Sequence, residues 1–489
     1  MTRYSEILTE SQLAPLLLID GERRPAVSGQ VIETIDPSTA KPLGTCPAGD
    51  SGDIDAAVGS ARKALEGPWR DLAPQARGQC LMAIAGHIRA AADLFGLLEC
   101  LDAGKPISAS TQGAHRAADY FAYYAAMCDK LQGDTIPRGR NRLSYTQLEP
   151  VGVTGHIAPW NVPLTTAARG LAPALACGNT AVIKPAEQTP LSTLLLGQIM
   201  LDAGLPAGVC NVVSGLGEAA GAALAAHADV DHITFTGSVA TGKSVMKSAA
   251  EHIAGVTLEL GGKSPIVVLA DANLDRAVED ILKELYRNAG QICSAGTRLV
   301  IERSIHDEVR ERLLAGAKSI AIGRGLDDPD MGPLISAAQL ARVEGFVDGA
   351  RARGLEILTG GARAEVPGYN GYFYLPTIVD QVPVDDELAQ NEVFGPVLCI
   401  QPVDDIESAL AVANSTRYGL AAGIYSRDMS NALRLARDVV AGQVFINEYH
   451  SAGDTVPFGG FGDSGIGREK GLAALANYTA TKAFTIRID

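Results

Sequence analysis

Of eight cysteines, at positions 46, 80, 100, 128, 177, 210, 293 and 399, one has surroundings suited to covalent chemistry. A lone cysteine is most often a small buried apolar residue, and that reading fits most of the eight. Cys293 differs because it lies in Gly290-Gln291-Ile292-Cys293-Ser294-Ala295-Gly296, a turn of small residues that leaves a thiol open to approach. Glu259 ends the apolar run Val256-Thr257-Leu258-Glu259-Leu260, where a carboxylate is out of place. Buried there, it would have a raised pKa and could serve as a general base. Asn161, in Pro159-Trp160-Asn161-Val162-Pro163, follows a predicted strand. Its amide could donate to a developing oxyanion, or simply close an Asx turn ahead of a helix.

Two further segments could hold a nucleotide. Lys184 and Glu187, in Lys184-Pro185-Ala186-Glu187, stand at a predicted strand end, where they could grip the two hydroxyls of a ribose. A carboxylate there favours a free 2′-hydroxyl and repels a 2′-phosphate; the alternative is a solvated charge pair. Gly237-Ser238-Val239-Ala240-Thr241-Gly242-Lys243-Ser244 spells the GxxxxGK[ST] phosphate loop, and the run ending in Asp271 resembles the acidic strand that would hold magnesium. A P-loop NTPase is therefore the rival reading from another class. In either reading, glycines opening a helix let a phosphate meet backbone N–H groups.

These residues need a frame that brings them together. Residues 54–130 read as helices. Beyond 150, short apolar runs at 151–157, 180–183, 209–213, 232–235 and 256–260 alternate with helical stretches near 164–176, 191–203, 217–228 and 240–252. This rhythm predicts a doubly wound parallel sheet with ligands beyond the strand carboxyl ends. A second set of strands, 266–269, 299–301, 397–400, 421–425 and 444–447, is interleaved with helices at 274–288, 306–319 and 428–438, and predicts a second α/β domain. The expected organisation is a cofactor domain from 1–133 and 151–260, a catalytic domain over 261–455, and a small β oligomerisation arm from 134–150 and 475–489. The arm segments alternate like exposed strands, which suits pairing with another subunit.

Bulk properties narrow the classes. The 489 residues are 47% hydrophobic and 20% charged with 53 glycines, an ordinary α/β balance. A net charge of −15 points away from nucleic acid and anionic membranes as partners. No CxxC pair or HxxxH spacing indicates a metal, and no apolar h-region or 18-residue apolar stretch suggests export or a membrane span. A reduced cytoplasmic setting is expected.

In combination and order, the motifs resemble the aldehyde dehydrogenase superfamily, over nearly the whole chain. They are Leu258-Glu259-Leu260-Gly261-Gly262-Lys263-Ser264-Pro265, Gly290-Gln291-Ile292-Cys293, Pro159-Trp160-Asn161, Lys184-Pro185-Ala186-Glu187, Phe235-Thr236-Gly237-Ser238, Glu392-Val393-Phe394-Gly395-Pro396 and Pro457-Phe458-Gly459-Gly460. The resemblance implies that Cys293 attacks an aldehyde to give a thiohemiacetal, that Asn161 and the Cys293 N–H hold its oxyanion, and that Glu259 activates the water that hydrolyses the later thioester. It implies NAD, with NADP disfavoured by Glu187, and a cofactor set of Pro159, Trp160, Lys184, Glu187, Gly237, Ser238, Gly242, Leu260, Glu392 and Phe394. Glu259 favours release of a free acid over transfer to coenzyme A. A homodimer or homotetramer is implied. Ala480 and Gly170 stand where relatives carry a Glu and a Lys, so two proton-relay partners are expected to be lost.

Arg169 and Arg287 occupy pocket positions and resemble the succinic semialdehyde dehydrogenase branch, where such arginines hold the substrate's far carboxylate. Paired guanidiniums select an anion through charge-assisted bonds. The match is incomplete, since Ala452 and Gly453 replace serines there, with Ser451 adjacent. Arg169 alone also resembles aromatic-aldehyde enzymes of the salicylaldehyde type. The alternative for Arg287 is a structural ion pair with Glu284 on its own helix. The substrate expectation is thus a semialdehyde or other carboxylate-bearing aldehyde, with an aromatic aldehyde as the alternative.

Overall fold

Five apolar runs form the parallel centre of an eight-stranded sheet in the computed structural model, which describes residues 16–449 and 453–488. Ser451 and Ala452 lie outside the described residues. In spatial order the strands are Glu22–Arg24, Leu17–Ile19, Cys210–Val212, Thr180–Lys184, Val153–Ile157, His232–Thr236, Gly255–Glu259 and Gly465–Ile466. The parallel five wind outward on both sides of Val153–Ile157, so the order reverses between that strand and His232–Thr236. Ligands bind beyond the strand ends at such a reversal. The segments leaving it are 158–162 and 237–238, which carry Asn161 and Gly237-Ser238. Thr236 is level with Glu259 in the parallel register, so these two strand ends finish at one height.

A second sheet is ordered Glu356–Thr359, Thr377–Asp380, Val397–Val403, Arg298–Glu302, Pro265–Val268, Ala421–Tyr425 and Gln443–Ile446. Only its first strand is antiparallel to its neighbour. Buried on both faces, parallel strands read as continuous apolar runs, and Leu299, Val300 and Ile301 are fully buried. Thr377–Asp380 escaped the sequence reading because only Ile378 and Val379 are apolar, too short a run to carry a period.

Buried carboxylates fix the helices that follow the two nucleotide-end motifs. Glu99, on the helix Ala92–Ala103, accepts the N–H of Leu164 at 2.7 Å, at the start of Pro163–Ala176, and is neutralised by Lys105 at 2.5 Å. Asp102 accepts the N–H of Leu191 at 3.2 Å, at the start of Leu191–Asp202. An acceptor oxygen at a helix N-terminus satisfies an orphan donor. Burial and the neighbouring Glu99 raise the Asp102 carboxyl well above the usual carboxylate range, so the dipole is complemented chiefly by Glu99.

One stretch of the first sheet is unexpectedly polar. His156 Nε2 lies 2.8 Å from Thr154 Oγ1, His232 Nε2 lies 3.0 Å from Thr257 Oγ1, and Thr234 bonds the Tyr478 hydroxyl at 2.9 Å. Burial pushes His156 down to about 3 and His232 down to about 4, from 6.5. The unfolded chain binds a proton at each ring below about pH 6.5, and the folded chain does so only near those lower values. Stability contributed by the neutral rings is therefore present above pH 6.5 and lost as pH falls toward 4, at about 1.4 kcal/mol per pH unit for each ring. The midpoint of urea unfolding should drop between pH 7 and 5, and His156→Gln should flatten that slope.

The third sheet is Thr479–Arg487, Arg142–Pro150 and Thr135–Ile136, with Tyr145 stacked on Phe484 at 4.8 Å between centroids. Its last strand, Thr479–Arg487, spans the alternating stretch 483–487 within the 475–489 segment. Leu472–Tyr478 is a short 3-10 helix, with Leu475 and Tyr478 buried in the core of the first sheet's helices. Among the described residues, no single helix is long and apolar enough to cross a membrane.

Candidate active site

The helix Leu274–Tyr286 is followed, after Arg287, by three successive left-handed residues, Asn288 (φ 53°), Ala289 (φ 53°) and Gly290 (φ 72°). That conformation is costly for residues with a Cβ, so the surrounding contacts must hold it. They are specific. Asn288 Nδ2 donates to the Asn161 carbonyl at 3.1 Å, Gln291 Nε2 donates to the Asn288 carbonyl at 2.9 Å, and Gln291 Oε1 accepts from the Ile335 N–H at 2.9 Å. Asn161 Nδ2 in turn donates to the Gln291 carbonyl at 2.8 Å. The amide picked out from sequence is thus tied to the turn that presents Cys293. Asn288 and Gln291 are positioning residues that the sequence reading passed over; the polar pair flanking Ala289-Gly290 was the available signal.

Gly290 admits no side chain: its Cβ would run into the carbonyl of Gly395. Gly290→Ala should lower the melting temperature by several degrees through clash and positive φ together, at about 3 kcal/mol. NADH formation should fall further than the folded fraction does, because the Cys293 turn must shift.

Cys293 and Cys80 are half-buried, whereas the other six cysteines are buried. Protein around the sulfur pushes the Cys293 thiol up to about 11 by desolvation, partly opposed by Arg169 and reinforced by Glu392 and Glu259. The chain leaving Glu259 passes close by: a Cβ on Gly262 would stand 2.7 Å from the Cys293 carbonyl oxygen. Glu259 itself is 1% exposed, and neither carboxyl oxygen has a hydrogen-bond partner among the described residues. Desolvation lifts its pKa well above the usual carboxylate range, Glu469 adds to the rise, and Arg169, Arg468 and Lys470 draw it back.

Glu469 corrects the expectation about lost partners. Ala480 is paired with Glu149 in the third sheet and is exposed. The second buried carboxylate in the field of Glu259 is Glu469, which forms an ion pair with Arg169 Nε. The signal lay in Gly467-Arg468-Glu469, ahead of the segment that holds Ala480. At Gly170 the loss of a side chain has a local cause: a Cβ there would sit 2.8 Å from His156 Nδ1.

The residues read as a nucleotide grip also gather at the strand ends. Lys184 Nζ bonds Glu187 Oε2 at 3.0 Å, with the lysine buried and the carboxylate half-buried. Ser238 caps the helix Val239–Ala250 by accepting from the Thr241 N–H at 3.2 Å, and the Gly237 N–H donates to the Glu259 carbonyl at 3.0 Å. Gly242 lies against Leu260, whose Cδ2 would be 2.5 Å from a Cβ. Trp160, following Pro159, meets Phe394 edge to face at 5.2 Å and 88°. Phe394 is left-handed at φ 58°. Glu392 accepts the Gly262 N–H at 3.1 Å, and burial pushes its carboxyl up to about 7.

The phosphate-loop spelling does not assemble. Asp271 follows Pro265–Val268 in the second sheet, not the first, and is engaged by Ser426 Oγ at 2.9 Å and the Asp428 N–H at 2.7 Å. Lys243 points to Asp463 at 3.4 Å. The NTPase reading fails because its two halves belong to different sheets.

Arg169 and Arg287 both face carboxylates of the protein. Arg169 is buried, paired with Glu469, and its Cζ lies 5.1 Å from the Phe458 ring centroid. Arg287 meets Glu284 at 3.2 Å, the ion pair foreseen as the alternative.

The aldehyde dehydrogenase family model matches residues 24–484, and the chain belongs to that family. An aldehyde dehydrogenase from Aspergillus niger is 42% identical over 474 residues, covering 96% of this chain and 95% of its own. The NAD+ complex of aldehyde dehydrogenase from Bacillus cereus superposes with a TM-score of 0.96 at 40% identity, covering 98% of each chain. Betaine aldehyde dehydrogenase from Staphylococcus aureus, in complex with NAD+, superposes at 0.95 with 36% identity over 98% of each. The protein is an oxidoreductase that acts on aldehydes.

Proposed function

We propose that this enzyme oxidises a carboxylate-bearing aldehyde to the corresponding acid, using NAD+ and a covalent intermediate on Cys293. The observation that carries the reading is the convergence on the Cys293 turn of Asn161, bonded to Gln291, and of Glu259, buried with both oxygens unpartnered. An unpartnered buried carboxyl is costly unless it has work to do.

The cofactor residues suit a dinucleotide. Lys184 and Glu187 would take the hydroxyls of one ribose, and Glu187 would repel a 2′-phosphate, so NAD is preferred to NADP. Gly237, Ser238 and Gly242, at a helix start, leave backbone room for the pyrophosphate. Glu392, held by Gly262, would take the second ribose, with Phe394 and Trp160 beside the ring. NAD+ supplies the hydride acceptor.

The Cys293 thiol passes its proton to water, and Sγ then adds to the aldehyde carbon to give a thiohemiacetal. One Asn161 amide hydrogen is held by Gln291; the other, with the Cys293 N–H, stabilises the oxyanion. Oxidation leaves a thioester on Cys293. Glu259, in its carboxylate form, removes a proton from the water that hydrolyses it, and the acid leaves.

The substrate's carboxylate is drawn by the cations around the site. Arg169 and Arg287 already share their charge with Glu469 and Glu284, so they steer and orient an anion rather than meet it bare. The third sheet, with its exposed alternating strands, is assigned to pairing between copies in a homodimer or homotetramer. NADH formation across 4-oxobutanoate, 6-oxohexanoate, butanal, hexanal and benzaldehyde, repeated with NADP, tests this reading. Equal kcat/KM for charged and uncharged partners of the same length would overturn the substrate class.

A further inference from the structure

Lys470 stands in the left-handed region at φ 61°, followed by Gly471 at φ 55°. A lysine seldom adopts that backbone, and such outliers persist where surrounding structure enforces them. Enforcement comes from both sides. Glu469 and Phe458 exchange N–H to carbonyl bonds at 2.7 Å, the Gly471 N–H donates to the Asp454 carbonyl at 3.1 Å, and the Tyr124 hydroxyl donates to the Gly471 carbonyl at 3.0 Å. The result is a lysine whose Nζ lies 5.3 Å from the Phe458 ring centroid, while Arg169 Cζ lies 5.1 Å from the same centroid.

The charges nearby are unevenly matched. Arg169 is answered by Glu469 and Arg287 by Glu284. Lys470 forms no ion pair among the described residues, although Asp454, Glu469, Arg169 and Arg116 all lie within its field. Asp454 is itself engaged by Tyr120. Burial pushes the ammonium down to about 8, with Arg169 and Arg116 acting the same way. A half-buried cation without an ion-pair partner is costly, and a ligand anion relieves that cost. The ring under Lys470 belongs to Phe458, and a Cβ on the next residue, Gly459, would stand 2.8 Å from Glu259 Oε1, which places Lys470 beside the reacting centre rather than on a remote face.

We infer that Lys470 is the residue that meets the carboxylate of the aldehyde substrate, pairing with it over the Phe458 ring. The inference rests on the anionic-aldehyde reading above, and adds the group that makes the discrimination. A neutral aldehyde of the same length leaves Lys470 unpaired.

The test is the ratio of kcat/KM for 4-oxobutanoate to that for butanal, and for 6-oxohexanoate to hexanal, in the full-length enzyme. Lys470→Met should lower the ratio at least tenfold, chiefly through KM for the charged member, and Lys470→Arg should keep most of it. Lys470→Gln serves the same comparison if the Met variant does not fold. A wild-type preference that survives in both neutral variants overturns the role of Lys470 alone. A wild-type enzyme with no preference overturns the anionic-aldehyde reading, and this inference with it.

Discussion

Cys293→Ala is expected to abolish aldehyde-dependent NADH formation, by roughly 10⁴-fold or more, while leaving the fold and NAD binding intact. Alanine removes only a sulfur from a half-buried position, so little packing is lost. The turn is held by Asn288, Gln291 and Ile335, none of which bonds the thiol. Calorimetry with NAD and a thermal melt separate lost chemistry from lost structure. Retention of more than a hundredth of wild-type turnover would remove Cys293 from the mechanism. The reactivity of the thiol should also climb with pH, because burial pushes it up to about 11 in the free enzyme. Iodoacetamide labelling of Cys293 should therefore quicken steadily from pH 7 to 10, and Arg169→Met should slow it by removing a charge that favours the thiolate.

Glu259→Gln carries the second large effect, a loss of about 10²–10⁴ in steady-state turnover, the usual range for a positioned base. Its signature is more telling than its size. The amide cannot take a proton from water, so the thioester should accumulate: one equivalent of NADH in a burst, then slow turnover, with an acyl adduct on Cys293 visible by mass spectrometry. In the wild type the carboxyl is raised well above the usual range, so the active carboxylate form grows as pH rises. Turnover should accordingly increase with pH through that elevated value, and the Gln variant should lose this limb. A variant with no burst and an unchanged pH profile would move the base elsewhere. Glu469, coupled to Glu259 through Arg169, tunes where the limb lies: Glu469→Gln removes a like charge and should shift it to lower pH.

Much of the frame was legible in the chain because parallel strands buried on both faces announce themselves as unbroken apolar runs. Ala181–Ile183 and Leu299–Ile301 did so, whereas Val153–Ile157 carries the buried polar residues Thr154 and His156. Strands with few apolar residues did not, as with Thr377–Asp380. Leu475 and Tyr478, at the start of the 475–489 segment, look alike in sequence whether they face solvent on an arm or fill a core. Only their position against Thr234 and the helix core shows which.

For the site, the sequence by itself determined the identities: a cysteine among small residues, a carboxylate ending an apolar strand, an asparagine between prolines, and glycines where a helix begins. Those types are demanded by chemistry and backbone conformation, so they survive in one dimension. What the tertiary structure alone decided is which charges are already answered. Arg169 and Glu469 are 300 positions apart in the chain and form one buried ion pair, while Lys243 and Asp271, which spell a phosphate site in sequence, serve different sheets. Charge pairing depends on distance and on the exclusion of water, and neither is written in residue order. The nucleophile could be named from its neighbours along the chain; the partners of Arg169, Arg287 and Lys470 became visible only once the chain was folded.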